Sequence, residues 1–231
     1  MNKVIVLLAG LLGVASLWAQ GATPAYSVAV DFPYVSKYVF RGLEVTKDAI
    51  QPSIVVTSGS FNGGVWTSQP VTKNADNEFD FFGNYDIPIN KDWKTTLGAT
   101  LYYYPELDAS TGLKRSTFEP KLALSGPLGP VASTFSVYYD TTLKNTTLEG
   151  VFGYSAPMEQ GGKDTLDFSG AYGYVSPDVG NTYSYWSLSA KVSFKPSDKL
   201  TGYVGATYAS NNLSGAKDGL LYGIAGVTVS F

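Results

Sequence analysis

The sequence predicts an all-β chain closed into a transmembrane antiparallel up-and-down β-barrel of about twelve strands. Three observations predict it. Segments of about ten residues alternate apolar and polar side chains and end in clusters of Gly, Pro, Asn or Asp. The connections between them take turns in being short and long, as they do at the two ends of an outer-membrane barrel. The last segment carries Leu221, Gly223, Ala225, Val227, Val229 and Phe231 on one face, up to a C-terminal aromatic.

The N-terminus sets the compartment. Met1-Asn2-Lys3 puts one positive charge ahead of an apolar run from Val4 to Leu17, and small residues follow in Ala19-Gln20-Gly21-Ala22. This run is shorter than the roughly 18 to 20 residues a spanning helix needs, and it has no polar face for a soluble helix. A signal peptide over residues 1–21, cut between Ala19 and Ala22, is expected. The chain has no Cys, so neither a lipidated cysteine nor a disulfide framework is available. Residues 22–231 are expected to form a single barrel in the outer membrane of a Gram-negative bacterium.

The elements follow in order. Strands are read at Tyr26 to Arg41, Ile50 to Ser58, Phe61 to Ser68, Glu78 to Ile87, Trp93 to Tyr104 and Thr117 to Ser125. The second half gives Val131 to Tyr139, Thr147 to Ser155, Thr165 to Val175, Tyr183 to Phe194, Leu200 to Ala209 and Leu220 to Phe231. Short connections fall at Gly59-Ser60, Pro88 to Asp92, Gly126 to Pro130 and Lys195 to Lys199, and longer ones at Gln69 to Asn77, Pro105 to Ser116 and Asn211 to Gly219. That order suits termini in the periplasm. Ala156 to Asp164 is long for a periplasmic turn.

A membrane barrel also needs one face of every strand in hydrocarbon. Leu97, Ala99, Leu101 and Tyr103 oppose Lys94, Thr96, Gly98 and Thr100. Trp186, Leu188, Ala190, Val192 and Phe194 oppose Ser187, Ser189, Lys191 and Ser193. On the first strand, Val28, Val30, Phe32, Tyr34, Tyr38 and Phe40 read as lipid-facing, against Asp31, Lys37 and Arg41. No charged residue falls on an apolar face, where one at the midplane would cost about 2–4 kcal/mol. Seventeen Tyr, twelve Phe and four Trp gather at strand ends, as in Tyr102-Tyr103-Tyr104 and Tyr183-Ser184-Tyr185-Trp186. Interfacial girdles have this pattern.

Two segments carry a family resemblance. Ser36-Lys37-Tyr38-Val39-Phe40-Arg41-Gly42, followed by Gly64-Val65-Trp66-Thr67-Ser68, resembles the N-terminal signature of TorF-type porins of Gram-negative bacteria. Lys37 stands where such proteins usually have an acidic residue, and Leu43-Glu44-Val45 where they have a polar run. The resemblance implies an outer-membrane porin-like barrel and leaves the solute open.

Missing chemistry narrows the function further. With no His and no Cys, soft-metal sites lose their usual ligands and hydrolases their usual general base, so neither an enzyme nor a cofactor is expected. Asn74, Asp76, Glu78 and Asp80 share a parity and could offer oxygens to a hard cation, but a solvated acidic loop accounts for them. A net charge of -3 with mixed signs argues against nucleic acid as a partner. The inward face carries Asp31, Asp80, Asp86, Glu119, Glu149 and Asp167 against Lys37, Arg41, Lys94, Lys121 and Lys191. These are the expected pore-lining residues. They point to passive diffusion of small hydrophilic solutes or ions, unless paired charges close the lumen and the outer loops do the binding instead. The expected partners are outer-membrane lipid, the permeating solutes, and the barrel-assembly machinery through the strand ending in Phe231.

Overall fold

The computed structural model describes residues 26–72, 75–107, 110 and 113–231. The expected signal segment and Asn74 lie outside the described residues. The strands are β1 Ser27–Val35, β2 Tyr38–Phe40, β3 Leu43–Thr46, β4 Ala49–Ile50, β5 Ser53–Ser58, β6 Phe61–Pro70, β7 Glu78–Pro88 and β8 Lys94–Tyr103. Then come β9 Ser116–Leu128, β10 Val131–Asp140, β11 Asn145–Pro157, β12 Thr165–Ser176, β13 Tyr183–Ser197, β14 Leu200–Asn211 and β15 Leu220–Ser230. β4 and β5 are two halves of one stave, since both pair with β1 on one side and β6 on the other. The result is a closed antiparallel barrel of 12 strands.

The seam closes between the ends of the chain. β15 runs antiparallel to β1 from Ala29↔Ser230 to Val35↔Ile224. Beyond the ladder, the Phe231 amide donates to the Val28 carbonyl at 2.8 Å and the Val28 amide returns the bond at 3.2 Å. Closure leaves the wall without an unpaired edge, which a spanning sheet requires because hydrocarbon offers backbone groups no other partner.

Period-two alternation then turns the usual protein inside out. Leu188 is 61% exposed, Leu221 63% and Tyr172 58%, whereas Thr147 is 0%, Glu119 3% and Glu78 4% exposed. The wide apolar surface is on the outside and the polar side chains are within, as hydrocarbon around the barrel demands. Hydrogen bonds between inward residues of adjacent strands support that reading, for example Asn84 to Asn62 and the Ser189–Thr207 hydroxyl pair.

Short connections fall at the end that holds the termini, called here the turn end, and longer ones at the opposite loop end. The long 158–164 connection is ordered by its own bonds. The Met158 amide donates to Asp164 O, the Gly162 amide to Glu159 O, the Lys195 amide to Asp164 Oδ1, and Lys163 pairs with Asp198.

One element departs from the sequence reading. The first strand was expected to reach Arg41 with Tyr38 and Phe40 facing lipid, but β1 ends at Val35. There Ser36 exchanges bonds with Gly223, its amide donating to the Gly223 carbonyl and its hydroxyl accepting from the Gly223 amide. The chain then leaves the wall, and β2 and β3 form a separate two-stranded hairpin. Tyr38 is 8% exposed and packs against Trp66 with ring centroids 5.4 Å apart. Phe40 meets the Tyr102 ring edge-on at 6.1 Å. Both aromatics therefore face inward. Alternation reports that a segment is extended, not which sheet it joins, and the bend at Ser36-Lys37 resets the parity.

Candidate functional site: the lumen and its hairpin

The hairpin's contacts place it inside the barrel, because they reach staves all around the wall. Tyr38 touches β6 and Phe40 touches β8. The Arg41 guanidinium donates to both oxygens of Glu119 on β9, at 2.9 and 2.8 Å, and lies 5.0 Å from the Tyr138 ring on β10. Asn211 of β14 donates from Nδ2 to the Gly42 carbonyl at 2.9 Å. Only a segment within the lumen can meet that set.

The turn that makes this possible is a two-residue connection with positive φ at both positions, 48° at Arg41 and 78° at Gly42. Such a type I′ turn matches the twist of the flanking strands and favours Asn-Gly or Gly-Gly. Arginine in the first position carries strain of about 1–2 kcal/mol. What offsets it is the bidentate pair, whose side chains are 12% and 2% exposed and which also receives the Tyr102 hydroxyl on Glu119 Oε1 at 3.0 Å. A two-pronged carboxylate contact is the geometry a guanidinium serves and an ammonium does not.

The remaining lumen groups form two layers. At the loop end, Glu149 accepts the hydroxyls of Tyr138 and Tyr185, and Glu78 accepts that of Tyr104 at 2.8 Å. Asp80 sits on the same strand face as Glu78, and its Oδ1 is buried without a hydrogen-bond partner. A cavity of about 490 Å³ opens beside them, lined by Tyr38, Ser68, Glu78, Tyr104 and Thr117. At the turn end, Asp31 accepts from Tyr203 at 2.8 Å and Thr228 at 2.7 Å, Asp86 pairs with Lys94 and Thr96, and Asp167 accepts from Ser155 and Ser193. Lys191 lies 5.0 Å from the Tyr203 ring.

Of the residues expected to line a pore, Arg41, Asp80, Glu119 and Glu149 thus gather in the loop-end layer, and Asp31, Asp86, Lys94, Asp167 and Lys191 in the turn-end layer. Lys121 lies between them. Lys37 stands apart at the rim, with its ammonium on the Leu221 carbonyl at 2.6 Å. Among the described residues no acidic group is arranged to hold a metal ion, and Asp76 is exposed, at the edge of the cavity that Glu78 and Lys114 also line. Sequence reasoning missed the tyrosines that hold these carboxylates. Tyr102 shares the parity of Thr96 and Thr100, which is the available signal, but its ring suits an interfacial girdle equally well.

The fold defined by this arrangement is the closed, polar-lumened barrel that outer-membrane porins have. The chain belongs to the Gcw_chp family, described as a bacterial protein family of unknown function, which matches residues 19–146. Among solved structures, it is similar to the KdgM porin, with 13% identity, a TM-score of 0.54, and coverage of 88% of this chain and 99% of the other. It is also similar to the KdgM porin in complex with disordered oligogalacturonate, at 14% identity and a TM-score of 0.57, covering 89% and 99%. The NanC porin matches at 14% identity and a TM-score of 0.56, covering 88% and 98%. No curated protein sequence matches the chain.

Proposed function

We propose that this protein is an outer-membrane channel for passive diffusion of small hydrophilic solutes or ions, narrowed by its first outer loop. The observation that carries the reading is a closed wall with an apolar outside and charged, hydrogen-bonded side chains inside. A polar lumen within an apolar belt has its use as a path for water-soluble matter. Arg41, Asp80, Glu119 and Glu149 are the proposed lining of the narrow part, and Asp31, Asp86, Lys94, Lys121, Asp167 and Lys191 that of the wider part, with Lys37 at the rim. In this reading the signal peptide is removed between Ala19 and Ala22. The mature barrel is inserted by machinery that reads the strand ending in Phe231, and the protein is a porin of the TorF type.

The KdgM porin has been solved with oligogalacturonate, a polyanion. A polyanion is not proposed here, because the loop-end layer of this lumen is acidic. Planar-bilayer recording tests the reading, with discrete current steps from purified refolded protein as the expected result. The hairpin in the lumen favours one rival, a closed barrel that acts through its outer loops. Heat-modifiable protein that never conducts would establish that rival and sink the channel.

A further inference from the structure

We infer that the cavity at the loop end is a binding site for a small zwitterion with an apolar body, of the size and charge pattern of leucine. The inference goes beyond the channel reading above by giving the channel a solute to collect at its outer mouth, and it rests on that reading for this use of the site. Binding itself is measurable whether or not the barrel conducts.

The first ground is the make-up of the cavity's lining. Its floor is polar and buried, with Tyr38, Ser68, Glu78 and Thr117 all less than a tenth exposed. Its rim is apolar. Val45 of β3 and Leu143 of the β10–β11 turn are 48% and 49% exposed, and Leu107 joins them on the same cavity. None of these three belongs to a strand of the wall, so the lipid that accounts for the outward face of the barrel does not account for them. Apolar side chains around a concave space of about 490 Å³, with a few polar groups converging on it, are the make-up of a site for a small organic ligand. The hairpin supplies Tyr38, Val45 and Thr46 to the lining, so a bound solute rests against the segment that narrows the lumen.

The second ground is charge of both signs on one cavity. Glu78 lies on the floor, fixed by the Tyr104 hydroxyl that donates to its Oε1 at 2.8 Å, and Asp76 stands at the exposed edge. Lys114 lines the same cavity. Among the described residues no ion pair joins its ammonium to either carboxylate, so the two signs stand apart on the lining instead of cancelling in it. A zwitterion answers both. Its ammonium meets Asp76 and Glu78, its carboxylate meets Lys114, whose flexible stem carries three donors, and its apolar body covers Val45, Leu107 and Leu143. A solute with a single charge would satisfy one pole and face like charge at the other. A neutral sugar would pair with neither and leave the apolar rim in water.

The test is ligand-observed NMR, by saturation transfer from the mature protein in lipid nanodiscs to leucine and three analogues. 3-Methylbutylamine lacks the carboxylate, 4-methylpentanoate lacks the ammonium, and glycine lacks the apolar body. Leucine should bind saturably and each analogue about tenfold more weakly or worse, the factor that one hydrogen bond to a charged group or one buried isobutyl group supplies. Lys114→Met should bring leucine down to the affinity of 3-methylbutylamine without weakening the amine. Asp76→Asn combined with Glu78→Gln should bring leucine down to the affinity of 4-methylpentanoate without weakening the acid. A merely structural role for these residues would weaken every probe alike. No saturable leucine signal from heat-modifiable protein, equal affinity for all the probes, a loss shared by all of them in both variants, or glucose bound in place of leucine would overturn the inference. Saturable leucine binding beside a silent bilayer would keep the site and sink the channel, and current steps without leucine binding would do the reverse.

Discussion

Replacing Gly42 with Ala should release the hairpin from the lumen while leaving the wall intact. Gly42 has a φ of 78°, in a region that costs an L-residue about 1–2 kcal/mol. A Cβ there would lie 2.6 Å from Tyr185 Cβ, 3.1 Å from the Ser210 carbonyl oxygen and 3.2 Å from Asn211 Cβ. None of these is the far end of a flexible side chain, and all belong to the wall, so the hairpin must be the part that moves. Overpacking adds about 1–3 kcal/mol, for a total of roughly 2–5 kcal/mol. Breaking a buried ion pair costs about 3–5 kcal/mol, so the strain is comparable to the Arg41–Glu119 contact that holds the hairpin. The wall's ladder does not run through β2 or β3. The variant should therefore assemble, shift on an unheated gel like the wild type, and conduct in larger or flickering steps. Gly59→Ala is the control. Gly59 has a φ of 56° with nothing within 4 Å of a Cβ, so it carries strain without a clash, at the other end of the barrel, and its conductance should be unchanged. Wild-type conductance from an assembled Gly42→Ala would refute the placement of the hairpin in the conduit.

Three further outcomes are expected. Leu188→Arg puts a charge on an outward position that is 61% exposed, so it should lose about 2–4 kcal/mol of folding free energy in lipid if near the midplane, whereas Ser189→Arg should assemble; urea titration in vesicles measures both. Deleting Phe231 removes the two seam bonds to Val28 and should lower the yield of heat-modifiable barrel more than deleting one residue from the 212–219 loop. The Asp218 carboxyl is held below its usual range by the Ser210 hydroxyl and then by the Asn211 and Gly219 amides. A depressed pKa stabilises above the ordinary aspartate value of about 3.9 and is lost as pH falls through the lower folded value. Amide exchange in the 212–219 loop should therefore quicken in acid, and Asp218→Asn should show quick exchange already at neutral pH.

The wall was legible in the sequence because one physical constraint acts on every strand of it. Hydrocarbon on one side fixes the parity of Leu97, Leu101, Leu188 and Val204, and a shift by one residue would bury charge in lipid. Strand existence and count therefore follow from alternation bounded by turn residues, and connection order from the alternating lengths of the links between strands. The hairpin was not legible, because Tyr38 and Phe40 alternate as faithfully in a lumenal ribbon as on a lipid face, and Arg41-Gly42 does not read as the Asn-Gly of a common type I′ turn. The Arg41–Glu119 pair spans 78 positions, so only the closed barrel brings its partners together. The carboxylates themselves were found by parity. Their tyrosine partners were hidden because an aromatic ring suits an interfacial girdle and a lumen equally.

The same physics explains why the lumen can hold features that a soluble core would reject. In an ordinary domain a strained arginine and several buried carboxylates would be set against a small total stability. Here the wall is held by a continuous ladder whose alternative, exposed backbone in hydrocarbon, costs several kcal/mol per group. None of those ladder bonds depends on β2 or β3. The contents of the lumen are thereby released from structural duty, and a turn with Arg41 at a φ of 48° can persist because the wall does not depend on it. Strain of this kind marks a position chosen for what its side chain does. At the tip of this hairpin, what the side chain does is hold a guanidinium against Glu119 in the loop-end part of the lumen.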